Sequence, residues 1–213
     1  LETQVVDAEV AWLAGAKPLG PKPVAVELLV GTAARRAHAA PIGVEVLAPG
    51  ARGFVRIHLE DGALPLLPGD ALVLRGFART SGSFATLGGG CVLDAHPPQR
   101  RRSDPALALE LSQLVGADAR TAARIRVERA GFAGCEQEAL RRESGLTPAA
   151  LETALEVLET EALLARSEAG LLLGAPACAE LERRLLVALT ELHEREPRRP
   201  GSPRRALRGA LPQ

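Results

Sequence analysis

The hydrophobic pattern of this chain changes period once, across Pro97-Pro98-Gln99-Arg100-Arg101-Arg102-Ser103, and the change limits what each side can become. Upstream, apolar residues recur at every second position: Val6, Ala8, Val10 and Trp12, then Val24, Val26, Leu28 and Val30. A period of two puts alternate side chains on one face of a strand. Ile42–Leu47 forms another run, ended by Pro49-Gly50, and Phe54, Arg56 and His58 interleave with Val55, Ile57 and Leu59. With strands at 71–77 and 91–93 the total is about six, separated by Pro/Gly turns, which predicts a small antiparallel barrel.

Downstream the period becomes helical. Asp104-Pro105 supplies an N-cap and a proline at the first helical position. Helices are expected over 105–115, 119–130 and 136–143, with Gly131 and Gly145 as stops. Thr147-Pro148 repeats the start signal, and Leu151, Ala154, Leu155 and Leu158 share one helical face. Leu163-Leu164 and Leu171–Leu173 then flank Ser167-Glu168-Ala169-Gly170, so helices followed by a small hairpin give the order of a winged helix. A last helix from Pro176 carries Leu181, Leu185, Ala188 and Leu192 on one stripe. The expected class is multidomain, β followed by α/β. It comprises a six-stranded barrel over 1–98, a stiff basic linker over 99–103, and a winged helix over 104–174. A connecting helix over 175–194 and an Arg/Pro-rich tail over 195–213 complete it.

Composition narrows the function classes. The 213 residues are 46% hydrophobic but only 2% aromatic, so any core is aliphatic. Net charge is zero, and nucleic-acid affinity has to come from local clusters. Cys91, Cys135 and Cys178 are odd in number and far apart, which points to a reducing compartment without a disulfide framework or zinc site. No apolar run approaches the ~20 residues of a membrane span and no leader is evident, so a cytoplasmic location is expected. The chain has no methionine and begins at Leu1, which predicts a piece of a longer protein.

No catalytic constellation stands out. His38, His58, His96 and His193 lack partners at ligand spacing, and there is no Gly-x-Ser-x-Gly elbow. Glu152, Glu156, Glu159 and Glu161 read as the solvated face of one helix. That face opposes duplex DNA, because a recognition helix needs cationic or amide side chains toward the groove. Gly88-Gly89-Gly90 lacks the Lys-Ser/Thr that follows the glycines of a phosphate loop. Cys91-Val92-Leu93 continues as strand, so a bend or a close approach is expected there. No catalytic residue, metal site or cofactor is expected within the chain.

The block Leu67-Pro68-Gly69-Asp70-Ala71-Leu72-Val73-Leu74-Arg75 reads as a type II turn feeding a strand, with Leu72 and Leu74 on one face. Together with Thr86-Leu87-Gly88-Gly89-Gly90-Cys91-Val92-Leu93-Asp94, it resembles the closing hairpin of domain III of translational GTPases. The form is most similar to that of bacterial selenocysteine-specific elongation factors. The resemblance continues through the Asp94-to-Arg101 exit, the winged helix and Glu191-Leu192-His193-Glu194. Pro200-Gly201-Ser202-Pro203-Arg204 resembles the opening of a second winged helix. It implies that GTP and Mg belong to a GTPase domain outside this chain. It further implies that the barrel docks selenocysteinyl-tRNA, and that ribosome and mRNA hairpin are met through the full-length protein, with no membrane partner.

Arginine supplies the candidate RNA contacts. Arg35, Arg36 and His38 are expected in a Gly/Ala-rich loop, Arg79 in the loop before the triple glycine, and Arg75 at a strand edge. Loop arginines suit backbone contacts to RNA. The competing expectation is a winged-helix regulator of nucleic acid with a barrel interaction domain.

Overall fold

The computed structural model describes residues 2–80 and 83–195, with the side chains of 78–84 outside that description. The tail expected to open a second winged helix lies, apart from Arg195, outside the described residues. The chain divides into two compact units, Leu1–Asp118 with Arg142–Leu146, and Ala119–Arg141 with Thr147–Gln213.

The first unit is built on strands β1 (Val5–Trp12), β2 (Val24–Val30), β3 (Ala33–Ile42), β4 (Arg52–Leu59), β5 (Ala71–Thr80) and β6 (Ser83–Asp94). They close into an antiparallel barrel in the order β1-β4-β3-β2-β5-β6. Period two works as expected: Val6, Ala8, Val10, Val26, Leu28, Val55, Ile57, Leu72 and Leu74 fill the interior. Closure removes the exposed edges that an open sheet of this size would leave. Trp12, at the end of β1, is part of this core, its Nε1 donating to the Lys17 carbonyl at 2.8 Å.

One strand is not where the apolar run put it. Ile42–Leu47 is not a strand; β3 ends at Ile42, and Leu47 makes only an isolated pairing with Leu19. The third strand is Ala33–Ile42, so Arg35, Arg36 and His38 lie within a strand and not in a loop. Alanine and arginine have weak strand preference, and pairing on both sides, to β2 and β4, overrides it. Small Ala37 and Ala39 are buried, and their register partners are larger: Val26 and Leu59 beside Ala37, Val24 and Ile57 beside Ala39.

The turn at Leu67–Asp70 matches the sequence signal: Gly69 has φ +94, and Asp70 N donates to Leu67 O at 3.1 Å. The triple glycine does not open β6 but lies inside it, pairing with β1 through Val10, Ala11 and Trp12 and with β5 through Leu72, Val73 and Leu74. Likewise, β5 runs on to Thr80, so Arg79 lies in a strand and not in the loop expected before the triple glycine.

Helix α1 (Pro105–Leu114) starts where the cap predicts, with Asp104 Oδ1 accepting from Ala106 N at 2.9 Å. It belongs to the barrel's compact unit, although the sequence grouped it with the helices that follow. Long-range bonds explain this: Gly43 N donates to Arg102 O at 2.8 Å, and a Cβ on Gly43 would come within 2.7 Å of Ala108 Cβ.

The remaining elements are α2 (Ala119–Ala130), a 3-10 turn at Gly131–Ala133, α3 (Gln137–Ser144) and α4 (Pro148–Thr160). Strands β7 (Leu164–Arg166) and β8 (Leu172–Gly174) and helix α5 (Ala175–Arg195) follow. In the second unit α4 buries Leu151, Ala154, Leu155 and Leu158, leaving Glu152, Glu156 and Glu159 exposed. Thr147 caps α4, its Oγ1 accepting from Ala150 N at 3.3 Å. Strands β7 and β8 form the expected hairpin around Ser167–Gly170, with Gly170 at φ +80.

Candidate nucleic-acid interface

Three of the candidate RNA contacts share the outer face of the barrel because of strand register. Glu27 on β2 stands opposite Arg36 of β3 on one side and Arg75 of β5 on the other. Interior neighbours Val26 and Leu28 are fully buried, so alternation sends Glu27, Arg36 and Arg75 outward. Arg75 Nη1 lies 3.6 Å from Glu27 Oε2. Arg36 is held by a two-pronged bond to Asp61, Nε to Oδ2 and Nη2 to Oδ1, each at 2.8 Å. Glu60 Oε2 stands 3.9 Å from Arg36 Nε, and Glu60 Oε1 lies 3.1 Å from His38 Nδ1.

The fork has the expected electrostatic signature. Its hydrogen bonds from Arg36 hold the Asp61 carboxyl below the usual carboxylate range, and Asp61 pushes the Arg36 guanidinium further up. Both residues are well exposed, so screening keeps the pair's contribution to stability small. The strip is therefore close to charge balance, and an RNA phosphate reaching Arg36 has to displace Asp61.

Arg35 is not on this face. Register sets it opposite fully buried Leu28, on the interior-facing parity of β3, and its Nη1 donates to the Ala34 carbonyl at 2.9 Å. Arg79 pairs through its backbone with Phe84 on β6, and its side chain is outside the described residues. The fold thus assembles Arg36, His38 and Arg75 and separates Arg35 from them.

A second basic site has no counterpart in the loop-arginine reading. A cleft of about 650 Å³ is lined by Arg56, His58, Arg100, Arg101 and Arg102 among others. Arg56 anchors its floor: Nε and Nη2 each donate to the buried Asp7 carboxylate at 2.7 Å, and Nη1 donates to the Arg100 carbonyl at 2.9 Å. In sequence Arg56 reads as an outward member of an alternating strand, and nothing local reveals that Asp7 waits opposite it on β1. Burial, then the charges of Arg56, Arg102 and His38, push the His58 pKa below its ordinary 6.5. His58 is accordingly expected to titrate below 6.5 by ring-proton NMR, and a midpoint at or above that value would contradict its burial beside these positive charges.

Among the described residues no group of three His, Cys, Asp or Glu is placed to hold a metal ion, and no helix is long and apolar enough to cross a membrane. Cys91, Cys135 and Cys178 form no disulfide.

The chain matches no protein-family model, and no curated protein matches it in sequence. Among solved structures it is similar to a bacterial selenocysteine-specific elongation factor, at 14% identity and a TM-score of 0.57. The match covers 99% of this chain and 30% of that one. At this identity the likeness is one of fold alone.

Proposed function

We propose that this chain is the barrel-bearing part of a selenocysteine-specific translation elongation factor, in which the barrel docks selenocysteinyl-tRNA and the second unit is a winged helix. The observation that carries the reading is the fold likeness running over 99% of the chain, through the barrel and the helical unit alike. The winged-helix assignment is supported by the β7–β8 hairpin and by an isolated bridge to it from Cys135, which bonds Leu172 in both directions at 3.0 and 2.9 Å. Exposed Glu152, Glu156 and Glu159 on α4 favour a spacer over a DNA reader, because they would repel a duplex.

In this reading the chain performs no catalytic step. GTP and Mg act in a domain outside it, and the ribosome and mRNA hairpin are met by the full-length factor in the cytoplasm. Gly88–Gly90 supports that division, since the backbones on either side fill the space a phosphate cradle would need. The tRNA contact runs through Arg36, His38 and Arg75 on the strip. A-form RNA offers phosphates and 2′-hydroxyls there, so recognition is by shape and backbone.

Fluorescence anisotropy with bulk tRNA and matched duplex DNA tests the proposal. Binding is expected for tRNA over DNA, weak, and falling with salt at a log–log slope of about −1 to −3. Asp61→Asn is expected to tighten tRNA binding a few-fold, because it removes the carboxylate that competes for Arg36. Equal affinity for duplex DNA would replace this reading with that of a winged-helix regulator.

A further inference from the structure

We propose that the cleft between β3, β4 and the 99–103 segment is a second RNA site that grips the phosphodiester backbone through Arg101 and Arg102. The class of partner rests on the reading above, whereas the site itself does not.

Four arginines line this cleft, and their charges are not equally available. Arg56 is engaged by Asp7, and Arg100 Nη1 lies 3.0 Å from Glu110 Oε2. Arg102 differs in kind. Its Nη1 donates to the Pro41 carbonyl at 3.1 Å and its Nη2 to the Pro21 carbonyl at 3.0 Å, while its own carbonyl accepts from Gly43 N. Neutral carbonyls fix a guanidinium in place without cancelling its charge, and with five N–H donors the group keeps others for a ligand. The result is a cation already ordered, so binding an anion there loses little side-chain entropy.

Arg101, beside it, is exposed and has no ion pair or side-chain hydrogen bond among the described residues. Glu45 is the one carboxylate among the lining residues, which leaves a positive excess. The depressed pKa of His58, to which Arg102 contributes, is consistent with that field.

Guanidinium forks match phosphate oxygens, which sets the chemistry of the ligand. His58 is the one aromatic ring among the lining side chains, and there is no Phe, Tyr or Trp on which successive bases could stack. Contacts to the backbone alone carry no sequence information, so the site is expected to accept RNA irrespective of sequence.

Ring-proton NMR of His58 during titration with a short oligouridylate provides the test, with inorganic phosphate at equal phosphate concentration as the second probe. The RNA is expected to shift the His58 resonances and raise its titration midpoint. Arg101→Glu is expected to weaken that binding about tenfold, on the scale of one lost charge-assisted contact. Its unfolding should be unchanged, since the Arg101 side chain bonds to nothing described. Arg101→Gln should weaken binding in the same direction, which keeps the test open if the glutamate variant misfolds. A silent His58, or affinity undiminished in both variants, would overturn the site. An equal response to inorganic phosphate would mean an adventitious ion only. Failure of tRNA binding with His58 still responding to oligouridylate would sink the elongation-factor reading and leave the cleft standing. Intact tRNA binding with His58 silent would do the reverse.

Discussion

Replacing Arg56 with methionine is expected to destabilise the barrel unit by about 3–5 kcal/mol, the scale for breaking a buried ion pair by removing one partner. Asp7 is fully buried and Arg56 is 7% exposed, so the carboxylate left behind has no route to water. The loss is asymmetric for the same reason. With Asp7→Val added to Arg56→Met, part of the stability should return, because the carboxylate bonded to Arg56 is gone, while Asp94, 1% exposed, keeps a charge that Arg56 had offset. Return should fall short of complete, since the carbonyls of Arg100 and Pro98 also lose their donor, at about 1 kcal/mol each. Trp12, the one tryptophan of the chain, lies inside the barrel and reports its unfolding by fluorescence in urea. A single-variant effect below about 1 kcal/mol would show that the pair is solvated in solution.

Gly90→Ala is the second large effect expected, at about 3 kcal/mol or more, in the upper range for forcing volume into a packed interior. The added Cβ would fall on the Glu9 carbonyl of β1, which is backbone and cannot turn aside as a side chain does. Gly88 meets a milder form of the same obstacle, with Ala11 O at 2.8 Å from its ideal Cβ position. Neither has positive φ, so the requirement is for space and not for a left-handed backbone. Gly15→Ala serves as the contrast: nothing lies within 4 Å and its φ is ordinary. It should change stability by no more than about 0.5 kcal/mol. If the two variants unfolded at the same urea concentration, strand spacing at β1–β6 would not be what selects glycine.

Much of the fold was legible because its signals act over a few residues. Alternating apolar residues marked β1, β2, β4 and the start of β5. Asp104-Pro105 and Thr147-Pro148 marked the starts of α1 and α4, and Pro68-Gly69 marked a turn that forms with the anticipated hydrogen bond. The candidate site was only partly legible. Arg36, His38 and Arg75 do meet on one face, yet their residence in strands and their acidic neighbours were not visible. Strand β3 looked like a loop because its buried Ala37 and Ala39 carry no strand signal of their own, and only pairing with β2 and β4 makes the segment extended.

What the sequence by itself determined, then, is where the chain turns, where its period changes and which stretches are helical, because propensity, capping and alternation are properties of neighbours. The tertiary structure alone decided which charges are available. Arg36 finds Asp61 across 25 residues, Arg56 finds Asp7 across 49, and Arg102 finds the Pro21 carbonyl across 81. Those pairings depend on strand register and barrel closure. The same arginine in a run of three can be neutralised, pinned with its charge intact or left free according to what distant backbone is folded against it.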